Sequence, residues 1–393
     1  MSVTFLKNLA LTGTLALAAV SANAVTIIPK APNLNAKGYV LMDFDSGKVI
    51  ASDNAETQLA PASLTKIMTA FVAGQEINNG RLAMDDIVTV GRKAWSRYFP
   101  DSSKMFIEPG DKISVANLLR GIMIQSGNDA CVALAEHIAG SEQAFVELMN
   151  GWAQQIGMTG TRFVNAHGLD GKGIATTPKD MAILARRLIQ DTPQVYDIYK
   201  EKEFTWNGIT QTNRNKLLWD NSLNVDGMKT GYTSKAGYSL VSSAIQDDMR
   251  LISVVMGTPS RNARISQSRN LLTYGFRFYD TELLVPADKP ALTEIIWKGA
   301  EDQLDITVPN NVYMTLPKSQ LKKIDVQYQI NEPLQAPIAK GDVVGTASWT
   351  IDNETVKEVA LVAAETIEQG GFFKRLLDSL KLFFSELFGQ LFS

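Results

Sequence analysis

Ser63 and Lys66 stand three residues apart in the stretch APASLTKIMTA, where a proline gives way to an apolar, helix-forming run. Positions i and i+3 share a helix face, which brings the hydroxyl and the amine within reach of each other. A hydroxyl becomes a nucleophile when a base takes its proton, and a neutral lysine amine is such a base. Lysine's ordinary pKa, near 10.4, keeps it charged; bringing it to about 7 means disfavouring the charge by roughly 4 to 5 kcal/mol, through burial or a second cation. The pair therefore calls for another lysine in the site.

Spacing alone decides little, because Ser319 and Lys322 in KSQLKK match it on a polar, lysine-rich loop. Two further stretches add weight. Ser126-Gly127-Asn128, in IQSGNDA, sets a hydroxyl and an amide at a helix junction, although Ser222-Leu223-Asn224 shows the same spacing. Lys229-Thr230-Gly231, in VDGMKTGYTSKAGYSLVSS, reads as the opening of a strand and supplies the second cation.

The elements around these residues follow from hydrophobic periodicity. KGYVLMDFDSGKVIASDN predicts two strands joined by a turn at Asp45-Ser46-Gly47-Lys48. Long stretches of 3.6 period then predict helices in LTKIMTAFVAGQEI, VANLLRGIMI, DACVALAEHIAG, EQAFVELMNGWAQQIG and PKDMAILARRLIQDT, the last started by Thr176-Thr177-Pro178. Strand character returns in GYSLVSSAIQ and RLISVVMGT, and ARISQSRNLLTYGFRFY is helical. Strands on both sides of a helical insert predict an α/β domain over residues 25–281, its sheet built from sequence-distant pieces. Short β-branched runs separated by turn residues predict a small all-β domain over 282–366.

Residues 370–393, GGFFKRLLDSLKLFFSELFGQLFS, follow a Gly-Gly hinge and place phenylalanines and leucines at steps of three and four. Charged residues interrupt the run, so an amphipathic helix lying in a membrane surface is expected in place of a spanning one. At the other end, residues 1–24 carry one early cation, Lys7, an apolar stretch from Leu9 to Val20 and the small-x-small end Ala22-Asn23-Ala24, which reads as a signal peptide. Its apolar stretch is shorter than the roughly 20 residues a spanning helix needs.

The 393 residues are 45% hydrophobic and 20% charged, with a formal net charge of -3. No clustered basic surface is present to meet a nucleic acid backbone. The one cysteine, Cys131, rules out an internal disulfide and reads as a small core residue. His137 reads as structural, and two histidines with one buried cysteine make no convincing metal site, so neither metal nor cofactor is expected.

Taken together, S-x-x-K, S-x-N and K-T-G form the signature shared by penicillin-binding proteins and class A β-lactamases. PASLTKIMT, QSGNDACVALAE, HGLD, YKEKEFTWNGI, NRNKLLWDNSLNVDGMKTGYT and LLTYGFRF resemble the D-alanyl-D-alanine carboxypeptidases of the penicillin-binding protein 5 and 6 type. The resemblance runs through the whole mature chain and implies a penicillin-binding protein or β-lactamase-like transpeptidase fold. It implies that Ser63 attacks the carbonyl between two terminal D-alanines of a cell-wall peptide, with Lys66 as base, and that water completes the reaction. β-Lactam antibiotics would be covalent inhibitors at the same serine. Ser126 and Asn128 would relay a proton and hold the substrate amide, Lys229 would tune Lys66 and Ser126, and the backbone N–H groups of Ser63 and Tyr232 would form the oxyanion hole. The terminal carboxylate calls for a hydroxyl and a cation near the start of the strand. Thr230, beside Gly231, and Arg264 are the candidates, with Arg261 the competing cation.

SRYFPDSSKMFIEPG resembles the loop bordering the family's active site, where Ser102 and Ser103 would steer Lys66; an exposed turn is the alternative. His167 and Asp170 of HGLD would support the cleft floor. The resemblance further implies a place on the periplasmic face of the inner membrane. A β-lactamase is the nearer rival, but HGLD and ATTPKD supply no glutamate for fast deacylation. A Ser-His-Asp hydrolase lacks its G-x-S-x-G elbow, and a non-catalytic wall-binding protein would not need the complete Ser/Lys/Ser/Lys set.

Overall fold

The computed structural model describes residues 28–392, with side chains as far as Ser385; the signal peptide expected over 1–24 lies outside the described residues. The first hairpin forms as its alternation predicts, β1 (Gly38–Asp43) pairing antiparallel with β2 (Val49–Asp53). A 3-10 turn, Ala62–Leu64, leads into α1 (Thr65–Asn78), which is buried from Thr65 to Glu76. That burial explains why α1 has almost no polar face: helices surround it.

A short ribbon, β3 (Ile87–Thr89) with β4 (Lys112–Ser114), precedes α2 (Val115–Met123), α3 (Asn128–Ala139), α4 (Glu142–Gln155), α5 (Pro178–Asp191) and α6 (Pro193–Tyr196). Ser114, Ser141 and Thr177 cap α2, α4 and α5, each side-chain oxygen accepting a backbone N–H three residues on. Pro178 fills the first turn of α5, where its missing N–H costs nothing. A small hairpin, β5 (Glu203–Trp206) and β6 (Ile209–Thr212), follows.

The main sheet is completed by β7 (Asn224–Thr233), β8 (Gly237–Gln246) and β9 (Met249–Thr258) in the order β2-β1-β9-β8-β7, all antiparallel. The amino-terminal hairpin thus joins the sheet through β1 and β9, pieces more than two hundred residues apart. Lys229 does not open its strand: β7 begins five residues earlier, at Asn224. Asp226 and Gly227, both poor strand formers, disguise that beginning, and the register shifts there between Val225 and Gly227. One face of the sheet packs on the helices through Met228, Val241, Ile252 and Val254, and the other packs through Leu240, Leu251 and Val255 under α7 (Arg261–Phe278).

From the end of α7 the chain enters β10 (Tyr279–Val285), then β11 (Leu292–Ile295), β12 (Gln303–Thr307), β13 (Val312–Pro317), β14 (Ile324–Ile330), β15 (Val343–Ile351) and β16 (Glu354–Ala363). β10 pairs with β13, and the others form a second sheet in the order β11-β12-β16-β15-β14 around Leu304, Ile306, Ala347, Trp349 and Leu361. Buried Asp43 joins the two regions, its carboxylate accepting from Thr281 Oγ1 at 2.7 Å and from Ser46 Oγ at 2.7 Å. Lys48 Nζ donates to the Thr315 carbonyl at 3.0 Å across the same joint.

The last element is α8 (Phe372–Phe392). The first glycine before it is not a free hinge. Gly370 N–H donates to Lys298 O at 2.8 Å, and a Cβ at Gly370 would stand 2.5 Å from Gly299 O. Its lack of a side chain serves close packing. Among the described residues no helix is long and apolar enough to cross a membrane.

Candidate active site

Ser63 lies in the 3-10 turn at the head of α1, and Lys66 one turn further in. Lys66 is fully buried, and its Nζ donates to Ser63 Oγ at 3.2 Å, Asn128 Oδ1 at 2.7 Å and His167 O at 2.5 Å. Burial pulls its pKa from the ordinary 10.5 to about 8, Cys131 and Asp129 opposing the fall and the Arg214 cation adding to it. The amine therefore gives up its proton near neutrality while it faces a hydroxyl.

Ser126 sits between α2 and α3, and Asn128 is the first residue of α3. Ser126 has φ of +64°, a backbone conformation that a buried non-glycine residue adopts only when its surroundings hold it there. Across the cleft, Lys229 Nζ on β7 donates to Ser126 Oγ at 2.9 Å and to Thr230 O at 3.1 Å. Burial holds Lys229 well below the ordinary lysine value, and Lys66, Arg214 and Arg264 lower it further. The Lys66 charge acts on Lys229, and two buried ammonium groups that interact cannot both keep their protons cheaply.

Asn128 is held at both ends of its amide, with Oδ1 taken by Lys66 and Nδ2 donating to Ser102 Oγ at 3.0 Å. Ser102 Oγ in turn donates to Phe99 O at 3.1 Å, so this serine touches Lys66 through Asn128 only. Ser103 meets the guanidinium of Arg214, while its carbonyl accepts from Asn128 N–H at 2.9 Å.

His167 contributes its backbone carbonyl to Lys66. Its ring is nearly buried, and burial followed by the Lys66 charge pulls its pKa to about 3, leaving the ring neutral. Nδ1 accepts from Leu169 N–H at 3.1 Å, which puts the proton on Nε2, facing Glu142 at 3.5 Å. Gly168 follows with φ of +88°, and a Cβ there would fall 1.9 Å from Ala62 O. HGLD is thus wedged under the turn that carries Ser63. Asp170 Oδ1 accepts from Thr233 Oγ1 at 3.1 Å, tying that loop to the end of β7.

Arg264 and Arg261 separate clearly. Arg264 is 6% exposed and its Nη1 donates to Gly231 O at 3.3 Å, beside buried Thr230, whereas Arg261 is on the exposed side of α7. Burial, Arg261 and Arg214 together bring Arg264 to about 10. Tyr232 leaves its ring exposed at the cleft edge.

Two residues of this cluster escape sequence reasoning. Asp129 lies next to a selected residue, and its buried carboxylate accepts from the N–H groups of Met105, Phe106, Ile107 and Ala130. Arg214 is the second; the only signal for it is a cation between two asparagines in NRNK, and Asn213 and Asn215 are buried in backbone contacts that project it. Cys131 is buried core, its thiol pushed up to about 12 mainly by burial. Among the described residues no cluster of acidic, histidine or cysteine side chains could hold a metal ion.

A hydroxyl facing a buried amine of lowered pKa, backed by a second Ser/Lys pair whose lysine stands on an edge strand, defines a serine acyl-transfer enzyme on an α/β fold. The chain belongs to the D-alanyl-D-alanine carboxypeptidase family, whose model matches residues 25–260, and residues 279–369 match the penicillin-binding protein 5 C-terminal domain. D-alanyl-D-alanine carboxypeptidase DacC of Escherichia coli K12 is 47% identical over 93% of this chain and 92% of its own length. DacA of the same strain is 46% identical over 99% of each. Among solved structures, penicillin-binding protein 5 from Haemophilus influenzae superposes with a TM-score of 0.83 at 42% identity, covering 87% of this chain and all of the other. Penicillin-binding protein 6B from Escherichia coli gives 0.74 at 39% identity, covering 86% and 98%. The protein is a serine D-Ala-D-Ala carboxypeptidase of the penicillin-binding protein 5/6 type.

Proposed function

We propose that the chain trims the terminal D-alanine from peptidoglycan stem pentapeptides at the periplasmic face of the inner membrane. Ser63 Oγ attacks the carbonyl between the two D-alanines as its proton passes to Lys66 Nζ. The C–N bond then breaks, the departing amine takes a proton from the Ser126 hydroxyl held by Lys229, the proton that Lys66 took from Ser63 is returned to Ser126, and D-alanine leaves. Water attacks the Ser63 ester, releasing the shortened peptide and restoring the serine. Asn128 Nδ2 has a second hydrogen, not used by Ser102, for the substrate carbonyl or amide plane. The backbone N–H groups of Ser63 and Tyr232 hold the oxyanion, a contribution of about 3 to 4 kcal/mol per donor. Thr230 and Arg264 take the terminal carboxylate, and a peptide in extended form adds to the free edge of β7. β-Lactams acylate Ser63 by the same attack and, with no leaving group to depart, persist.

The reading divides the mature chain into a catalytic unit over 25–281, a β-rich unit over 282–366 and a membrane-surface helix over 370–393, after an export signal over 1–24. Support for the helix comes from Phe372, Phe373, Leu376, Leu377, Leu380 and Phe383, all exposed on α8, while Asp378 and Lys374 tie its other side to the β-rich unit. An exposed aromatic face of this size fits the acyl boundary of a bilayer.

One observation carries the proposal: a fully buried amine 3.2 Å from Ser63 Oγ, with its pKa at about 8. The test incubates the mature protein and Ser63→Ala with a fluorescent penicillin and with a D-Ala-D-Ala peptide. Long-lived labelling with D-alanine release, both lost in the variant, is the expected result. Rapid penicillin turnover without peptide cleavage would make it a β-lactamase, and neither signal a binding protein. Deleting 370–393 is expected to release the protein from sedimenting vesicles; continued sedimentation would refute the helix assignment.

A further inference from the structure

Tyr232 follows the K-T-G triplet and is 52% exposed, although the residues just before it are buried. The pairs Thr230↔Leu240 and Tyr232↔Tyr238 put Thr230 and Tyr232 on the α7 face of the sheet, while Lys229, paired with Val241, points to the other. Exposure here does not mean mobility. The Tyr232 ring stacks on Tyr238 with centroids 4.3 Å apart and planes at 27°, and the guanidinium of Arg264 lies 5.7 Å from the Tyr238 ring centre. Arg264 is itself fixed by its donation to Gly231 O at 3.3 Å, and its buried Nε has no protein partner. The result is a braced aromatic plate with one face in water, beside a buried cation that still has a hydrogen to give.

Strand geometry says what would lie against that plate. A peptide paired with the free edge of β7, with its reacting carbonyl at Ser63 and its last carboxylate at Thr230 and Arg264, runs its final residue along positions 232 to 230. Side chains at those two positions flank it. We infer that Tyr232 is a specificity-determining residue whose ring forms the wall for the departing residue, packing on the D-alanine methyl and, with Tyr238 and Arg264, closing the cleft beyond the terminal carboxylate. This inference rests on the proposed substrate.

The test compares the full mature chain with Tyr232→Ala, Tyr232→Leu and Tyr232→Phe on peptides ending in D-Ala-D-Ala and in D-Ala-Gly, with fluorescent penicillin labelling of Ser63 as a check on the site. One methyl group in an apolar pocket is worth about tenfold in kcat/KM. The wild type is expected to prefer D-alanine over glycine as departing residue by about that factor, Tyr232→Phe to keep the preference, and Tyr232→Ala to cut it below about threefold while still labelling. If Tyr232→Ala fails to label, the preference is read from Tyr232→Leu, which keeps apolar bulk without the stacked plane, with the same expected loss. A preference unchanged in the labelling variant, or absent from the wild type, overturns the assignment of Tyr232 alone. No release of the last residue, D-alanine or glycine, from either peptide by the wild type overturns the substrate reading as well.

Discussion

Titration of acylation against pH tests whether Lys66 is the base. With its pKa at about 8, about one lysine in ten is neutral at pH 7, against about three in ten thousand for an ordinary lysine, a gain of about 300-fold. The second-order rate of penicillin acylation should therefore climb about tenfold between pH 6 and pH 7 and level off above pH 9. His167, at about 3, and Cys131, at about 12, are too far from this window to produce the limb. Lys229 is depressed as well, so the assignment needs a variant: Lys229→Arg keeps a cation there and should keep the limb, whereas Lys66→Arg should abolish it and lower the rate by 100-fold or more. The same displacement acts on stability. A folded pKa below the unfolded one means that stability present above pH 10.5 is lost as pH falls to about 8. For this fully buried group the loss is about 3 kcal/mol, so the unfolding free energy of Lys66→Met relative to wild type should rise by that amount from pH 10.5 to pH 7. A flat acylation profile between pH 6 and pH 8, with the rate retained in Lys66→Arg, would refute the reasoning.

Gly168→Ala should abolish penicillin labelling of Ser63, because the added Cβ falls 1.9 Å from Ala62 O at a φ of +88° and must displace the turn holding the serine; labelling on a gel measures it. Asp129→Ala leaves the N–H groups of Met105, Phe106 and Ile107 without their acceptor, a loss of about 2 kcal/mol or more, and should lower both the melting temperature and the acylation rate. Asp378→Ala removes the acceptor for Lys298 N–H at 2.9 Å; hydrogen exchange should speed up at residues 371–381 while vesicle sedimentation of the full chain persists.

Much of this fold is local and therefore legible. The hairpin turn at 45–48, the Thr177-Pro178 helix start and the alternation of β8 each express a preference of a few neighbouring residues. The placement of Lys229 was blurred for the same local reason, since Asp226 and Gly227 break the β signal inside a strand that tertiary pairing with β8 nonetheless completes. The Gly-Gly pair before α8 suggested freedom because glycine lacks a side chain; in the structure that lack lets the chain press against Gly299. Glycine's two uses look alike in a sequence and are told apart only by what lies opposite.

The site divides along a similar line. Ser63, Lys66, Ser126 and Lys229 can be proposed from sequence because the chemistry of one demands the next: an amine that must lose its proton calls for burial and a second cation, and the structure brings the four together. Arg264 could be preferred over Arg261 only weakly, since a shift of three positions keeps a helix face; burial against Gly231 separates them. Asp129 and Arg214 follow no such demand. Their partners are backbone N–H groups of a loop and the hydroxyl of a serine more than a hundred residues away, and neither a main-chain partner nor so distant a side chain leaves a trace in local residue types. Yet these two set the loop that carries Ser102 and Ser103, and Arg214 also lowers the proton affinity of Lys66 and Lys229. Candidates for the reacting groups can thus be proposed from chemistry, whereas the groups that hold them must be found from geometry, and Arg214 both holds a loop and acts on the lysines electrostatically.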